Sequence, residues 1–236
     1  MARLVPVTCI AGALASFALV AGCDGERIKL GNGALVDGAA CPHSPINGNQ
    51  VLWIGDSWVL VPGNQHTDVR DRARTASAIG PTDDYTIGAA PATTMAQIAG
   101  QYTAQESGAT KVKVLIMDGG TWDTILSNGS SASISTVANT FTQLLSTVAA
   151  DGTVDQIIYY LVPDLPGIPG VADLRPLLVN ACMESTVPCY FLDLQSVWAG
   201  HPEYTTGTSP PVPTDAGGAA IADAVWATMQ AKCIAQ

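Results

Sequence analysis

A chain of 236 residues, 47% of them hydrophobic, carries enough apolar material for one sizeable core. Its 20 acidic residues outnumber 10 basic ones, and the net charge of −10 is spread without runs, so nucleic acid is excluded from the expected partners.

The chain opens with a segment that does not read as part of the fold. Arg3 supplies a charged start, Val5 to Val20 is apolar and small, and LVAGC follows at Leu19 to Cys23, so residues 1–22 are expected to be a secretory leader. LVAGC resembles a bacterial lipobox, which implies cleavage before Cys23, a lipid on that cysteine, and a place in a bacterial cell envelope on the exported side of the membrane. A plain membrane-spanning helix is the competing reading, but the apolar stretch is short for a span. Residues 23–49 are rich in Gly, Asn and Pro without periodicity, as expected of a tether, and residues 50–236 form the expected domain.

Within that domain, strand-like and helix-like runs alternate. Strands are expected at 51–55, 84–88, 111–118, 154–162 and 189–194, and helices at 92–107, 131–150, 170–183 and 214–233. In the second helix Ile134, Val137, Phe141, Leu144, Leu145 and Val148 recur every three or four residues, so one stripe faces a sheet. The alternation predicts an α/β fold of three layers, α/β/α, with a five-stranded parallel sheet. The only long irregular segment besides the tether is HPEYTTGTSPPVPT, residues 201–214.

Cys9 leaves with the leader and Cys23 is expected to carry lipid, so Cys41, Cys182, Cys189 and Cys233 remain to form two disulfides in an exported chain. Of the three connectivities, Cys182–Cys189 with Cys41–Cys233 is preferred, because the first pair closes a short helix-to-strand loop. No CxxC pair occurs, and neither a metal nor a cofactor is expected.

The first strand runs straight into Gly55-Asp56-Ser57 within VLWIGDSW. Carboxyl ends of strands in open α/β sheets are where ligands bind, so Ser57 is placed for chemistry. In a parallel sheet Ser57, Gly88 and the DGGTWD loop (Asp118 to Asp123) converge on one edge.

These motifs resemble those of the SGNH/GDSL hydrolase superfamily over about residues 50–230. The resemblance implies a flavodoxin-like sheet and an esterase acting on a small acyl ester or a glycan, such as an O-acetylated carbohydrate. It implies Ser57 as the nucleophile, with its own backbone N–H and that of Gly88 in the oxyanion hole. The third block aligns as Gly120-Thr121-Trp122-Asp123, with Trp122 where the family carries an oxyanion-binding asparagine. In the last block Val212 stands at the histidine position and Ser209 at the aspartate position. Serine needs a base to become a nucleophile, so this pattern leaves His201 or His66 as the substitute base. Triad-deleted proteases retain roughly 10³ to 10⁴-fold over water from binding and the oxyanion hole alone, so weak activity is one expectation. A non-catalytic binding or scaffold lipoprotein is the other.

Overall fold

The structure is a computed structural model, in which residues 46–60 and 65–235 are described. The leader, Cys23, Cys41 and most of the tether lie outside those residues. Strand β1 (Val51–Ile54) and strand β3 (Val114–Met117) are apolar throughout and buried at every position, as strands covered on both faces must be. Strand β2 (Thr86–Ile87) flanks β1 on one side; beyond β3 lie β4 (Gln156–Leu161) and β5 (Cys189–Asp193). The order is β2-β1-β3-β4-β5 and every pairing is parallel. The connections leave β1 in one direction to reach β2 and then cross back to β3, which makes the carboxyl ends of β1 and β3 the switch point, the place where open α/β sheets bind ligands.

The helices are α1 (Ser57–Leu60), α2 (Gln65–Thr75), α3 (Met95–Glu106), α4 (Thr121–Leu126), α5 (Ser131–Asp151), α6 (Val171–Met183), α7 (Gln195–Trp198) and α8 (Asp215–Ala231). Helix α5 packs with α3, α4 and α6 in one layer, while α2 packs along α8 in another. The α5 stripe predicted from spacing is the buried one, and Phe141 meets Tyr159 of β4 at 4.6 Å between ring centres. Ser130 Oγ accepts the Ser133 N–H at the start of this helix, and Gly152 closes it.

Three differences from the sequence expectations have physical causes. The expected strand at 84–88 shrinks to Thr86–Ile87, because this outer strand meets only β1. Helix α2 has no counterpart among the expected elements: only Gln65, Val69 and Ala73 are buried, and Arg72 pairs with Asp223 of α8, so the apolar period is too thin to read. Helix α4 starts directly after Gly120, inside what reads as a loop. Ile46, at the start of the described residues, is 8% exposed and belongs to the core.

A disulfide joins Cys182 at the end of α6 to Cys189 at the start of β5. Cys233 is disulfide-bonded too, while its expected partner Cys41 lies outside the described residues. Among the described residues no helix is long and apolar enough to cross a membrane.

Candidate active site

The turn after β1 admits only glycine at residue 55. Its φ is +145°, and a Cβ there would lie 1.9 Å from Asp118 Oδ1 and 2.6 Å from Val59 Cγ2. Helix α3 braces this glycine from the side: Gln101 Oε1 accepts the Gly55 N–H at 2.8 Å, and Gln101 Nε2 donates to the Gly55 carbonyl at 3.0 Å. Thr93 Oγ1 donates to the same carbonyl at 3.0 Å. The buried Asp56 continues the brace, donating its N–H to Asp118 Oδ1 at 2.7 Å and accepting the Trp58 N–H on Oδ1 at 2.9 Å. The direction of Ser57, next in the chain, is thereby set by residues of β3 and α3 as well as by its own turn.

Ser57 is half-buried, and its Oγ accepts the Ala92 N–H at 3.0 Å. Ala92 sits at φ +55°, a left-handed conformation that a residue with a side chain adopts at a cost of about 1 kcal/mol or more. The N–H of Gly88, the residue the resemblance assigns to the oxyanion hole, donates to the Trp53 carbonyl at 2.8 Å. The Ala90 N–H is likewise taken, by the Gly55 carbonyl at 3.2 Å. Both extend the ladder between β2 and β1, so the backbone donor that reaches the serine comes from four residues beyond Gly88.

Among the third-block residues, Gly120 and Asp123 hold neighbouring elements in place. Gly120 caps α4 at φ +84°, where a Cβ would lie 2.8 Å from Val137 Cγ1 and 2.9 Å from Leu174 Cδ2, so close packing requires it. Trp122 is half-buried and its backbone N–H faces the Asp56 carboxylate. Asp123 Oδ2 accepts the Met95 N–H at 2.8 Å and so caps α3; burial raises the pKa of this carboxyl, partly offset by that bond.

Neither substitute base touches Ser57 among the described residues. His66, in the first turn of α2, lies 6.5 Å from the Trp53 ring and 3.2 Å from Thr67 Oγ1; burial, and then the charge of Arg70, lower its pKa. His201 is held on the irregular loop by two neighbours. Its Nδ1 is 2.8 Å from Glu203 Oε1, and its ring stacks on Tyr204 with centres 4.4 Å apart. The bond to His201 lowers the pKa of Glu203. Tyr204 then meets Trp198 at 5.4 Å, and Trp198 meets Trp58, the residue after Ser57, at 5.6 Å. Val212 is tied by its backbone to Thr206, donating to Oγ1 at 3.2 Å and accepting the Thr206 N–H at 2.8 Å, and its side chain has no atom that takes a proton. The Ser209 hydroxyl lies against Gly167, in the loop after β4.

Ala92, Gln101 and Thr93 are the site residues that motif reading passes over, and the bond of Asp118 to Asp56 is the contact it does not show. A signal existed for one of these contributions, since Thr94 and Gln97 form a capping box that marks the start of α3 and hence the end of the loop carrying Ala92. Among the described residues no group of three or more His, Cys, Asp or Glu side chains is arranged to hold a metal ion.

No protein-family model matches this chain, and no curated protein matches it in sequence. Solved structures do match in fold. A GDSL-like lipase structure from Parabacteroides merdae superposes with a TM-score of 0.64 at 16% identity, covering 81% of this chain and 99% of that one. An acetyl xylan esterase from Geobacillus stearothermophilus gives 0.58 at 13% identity, covering 77% and 94%. A family 3 carbohydrate esterase from Clostridium thermocellum gives 0.55 at 13% identity, covering 75% and 92%. The all-parallel order β2-β1-β3-β4-β5 and these likenesses together show an SGNH/GDSL-like α/β fold.

Proposed function

We propose that the protein is a weak serine esterase that acts through Ser57 on small acyl esters, with O-acetyl groups of a carbohydrate as the substrate class. One observation carries the reading: Ser57 Oγ stands at the switch point with the Ala92 N–H 3.0 Å away. An N–H that meets Oγ lies beside the position a carbonyl oxygen takes when Oγ bonds to its carbon, so Ala92 and the Ser57 N–H are the oxyanion donors in this reading. In acyl transfer Oγ bonds to the carbonyl carbon, its proton passes to a base, and the alkoxide of the ester leaves as an alcohol on collapse. His201, oriented by Glu203 on the loop that Trp198 links to Trp58, is the base in this reading. The substrate class follows the acetyl xylan esterase and carbohydrate esterase among the structural neighbours. Lipidation of Cys23 and an envelope location complete the proposal on the LVAGC sequence alone.

A second reading, a binding or scaffold protein that keeps the site without turnover, draws on the valine at residue 212 and on a serine whose hydrogen-bond partner among the described residues is a donor. A fluorophosphonate probe and a chromogenic acetyl ester separate the two. The esterase reading expects covalent labelling and turnover in the wild type, both abolished in Ser57→Ala. Wild-type protein that neither labels nor exceeds the variant in rate leaves the binding reading standing.

A further inference from the structure

Two buried carboxyl groups meet beneath the Ser57 turn, and nothing in the esterase reading uses them. Asp56 and Asp118 are 3% and 1% exposed, and Asp118 Oδ1 is engaged by the Asp56 N–H at 2.7 Å. The other oxygen, Asp118 Oδ2, is buried with no hydrogen-bond partner among the described residues. No lysine or arginine among the described residues pairs with either group. A third carboxyl, Asp123 of α4, adds negative charge to the surroundings of Asp56, and the phenols of Tyr159 and Tyr160 on β4 are the other titratable groups facing the pair. Two adjacent carboxylates without a cation are heavily penalised in a buried setting, and an orphaned carboxylate oxygen adds to the penalty.

We propose that Asp118 carries a proton on Oδ2 and donates it to the Asp56 carboxylate, so that an acid–carboxylate pair clamps the Ser57 turn to the end of β3. The proton satisfies the orphan oxygen, removes one of two like charges and adds a bond between the two carboxyl groups. Burial raises the Asp56 carboxyl as well, but the Trp58 N–H at 2.9 Å and the facing Trp122 N–H oppose that rise, so Asp56 is the member of the pair that keeps the charge. Burial, followed by the charge of Asp56, pushes the Asp118 carboxyl well above its ordinary value of 3.8, in the direction the geometry requires. Asp118 is thus a positioning residue that acts on Ser57 through Asp56. Its bearing on catalysis rests on the esterase reading, whereas the placement of the proton does not.

A carboxyl whose pKa is raised by folding contributes stability that is present below its ordinary range and lost as pH rises through the folded value. The full protein carrying ¹³C-labelled aspartate is titrated by NMR from about pH 4 to about pH 9, with the Asp118 signal identified by its loss in Asp118→Asn. The expected result is an Asp118 carboxyl still in its acid form at about pH 7, after the exposed aspartates have ionised. Thermal melts of wild type, Asp118→Asn and Asp118→Ala provide an independent measurement. Asparagine keeps both the acceptor for the Asp56 N–H and a donor for the Asp56 carboxylate, so its melting temperature gains on wild type as pH rises. Alanine leaves two buried groups without partners and lowers melting by roughly 5–10 °C. Ionisation of Asp118 together with the exposed aspartates, or equal losses for asparagine and alanine at every pH, overturns the clamp. Fluorophosphonate labelling that declines at high pH in wild type but less in Asp118→Asn ties the clamp to Ser57. Absence of labelling in all three proteins defeats the esterase reading, while the NMR titration still decides whether the clamp exists.

Discussion

In the esterase reading the turn that carries Ser57 and the loop that carries His201 are two halves of one requirement, and they are built in opposite ways. The turn is buried, and Gly55 alone is held by Gln101 and Thr93 on one side and crowded by Asp118 and Val59 on the other. The loop is largely exposed and held by local bonds: Thr214 Oγ1 to the Glu203 carbonyl, Thr206 to Val212, and His201 to Glu203. In the turn, geometry rests on contacts from residues distant in sequence, Gln101 of α3 and Asp118 at the end of β3. In the loop it depends on neighbours in sequence, so residues there change without disturbing the fold. A change in the loop therefore costs the fold less than a change in the turn.

The contrast is tested most directly at Gly55. Gly55→Ala adds a Cβ at 1.9 Å from Asp118 Oδ1 and imposes a positive φ on an L-residue. Overpacking and backbone strain together are expected to cost about 3–5 kcal/mol, read as a fall in the denaturant midpoint at constant slope. A loss below about 1 kcal/mol means that the turn relaxes freely and is not set by its neighbours. Gln101→Ala is the next largest. It removes the bonds at 2.8 and 3.0 Å to both polar groups of Gly55 while leaving the turn sterically intact. The expected loss is about 1–3 kcal/mol, with a drop in fluorophosphonate labelling of Ser57 because the turn is no longer held from α3. Unchanged labelling in a destabilised protein shows that Asp56 and Asp118 orient the serine without help from α3.

The same division explains what was legible in the sequence. Continuous apolar runs such as Val51–Ile54 and Val114–Met117 announce buried parallel strands, and the Ile134 to Val148 stripe announces the face of α5, because burial imposes a period on the chain. Helix α2 escaped because most of its surface is charged and only its anchor residues are buried. At the site, Ser57 was legible from the strand, glycine and serine in succession. The donor was not: a sequence cannot say at which residue an outer strand's N–H groups stop feeding the ladder, and here Gly88 and Ala90 still do while Ala92 does not. Asp118 was visible as a strand-end carboxylate, but its bond to Asp56 spans 62 residues and depends on β1 and β3 being neighbours.

The smallest effect on stability is expected at the loop, and there it is the most informative about chemistry. The His201 side chain is 46% exposed and its contacts are to Glu203 and Tyr204, both within three residues. His201→Ala should therefore change unfolding free energy by less than about 0.5 kcal/mol, as surface substitutions away from packed features do. Its effect on rate is a separate matter. A general base contributes roughly 10² to 10⁴-fold, so in the esterase reading the variant loses at least about a hundredfold in kcat/KM on the chromogenic acetyl ester. Glu203→Gln keeps an acceptor for the ring while removing the charge, and should lose less than His201→Ala. A rate unchanged in both variants, with Ser57→Ala still inactive, shows that the serine works without the loop. The base must then be sought nearer the turn, with His66 the first to replace, since it lies against Trp53 of the same strand that delivers Ser57.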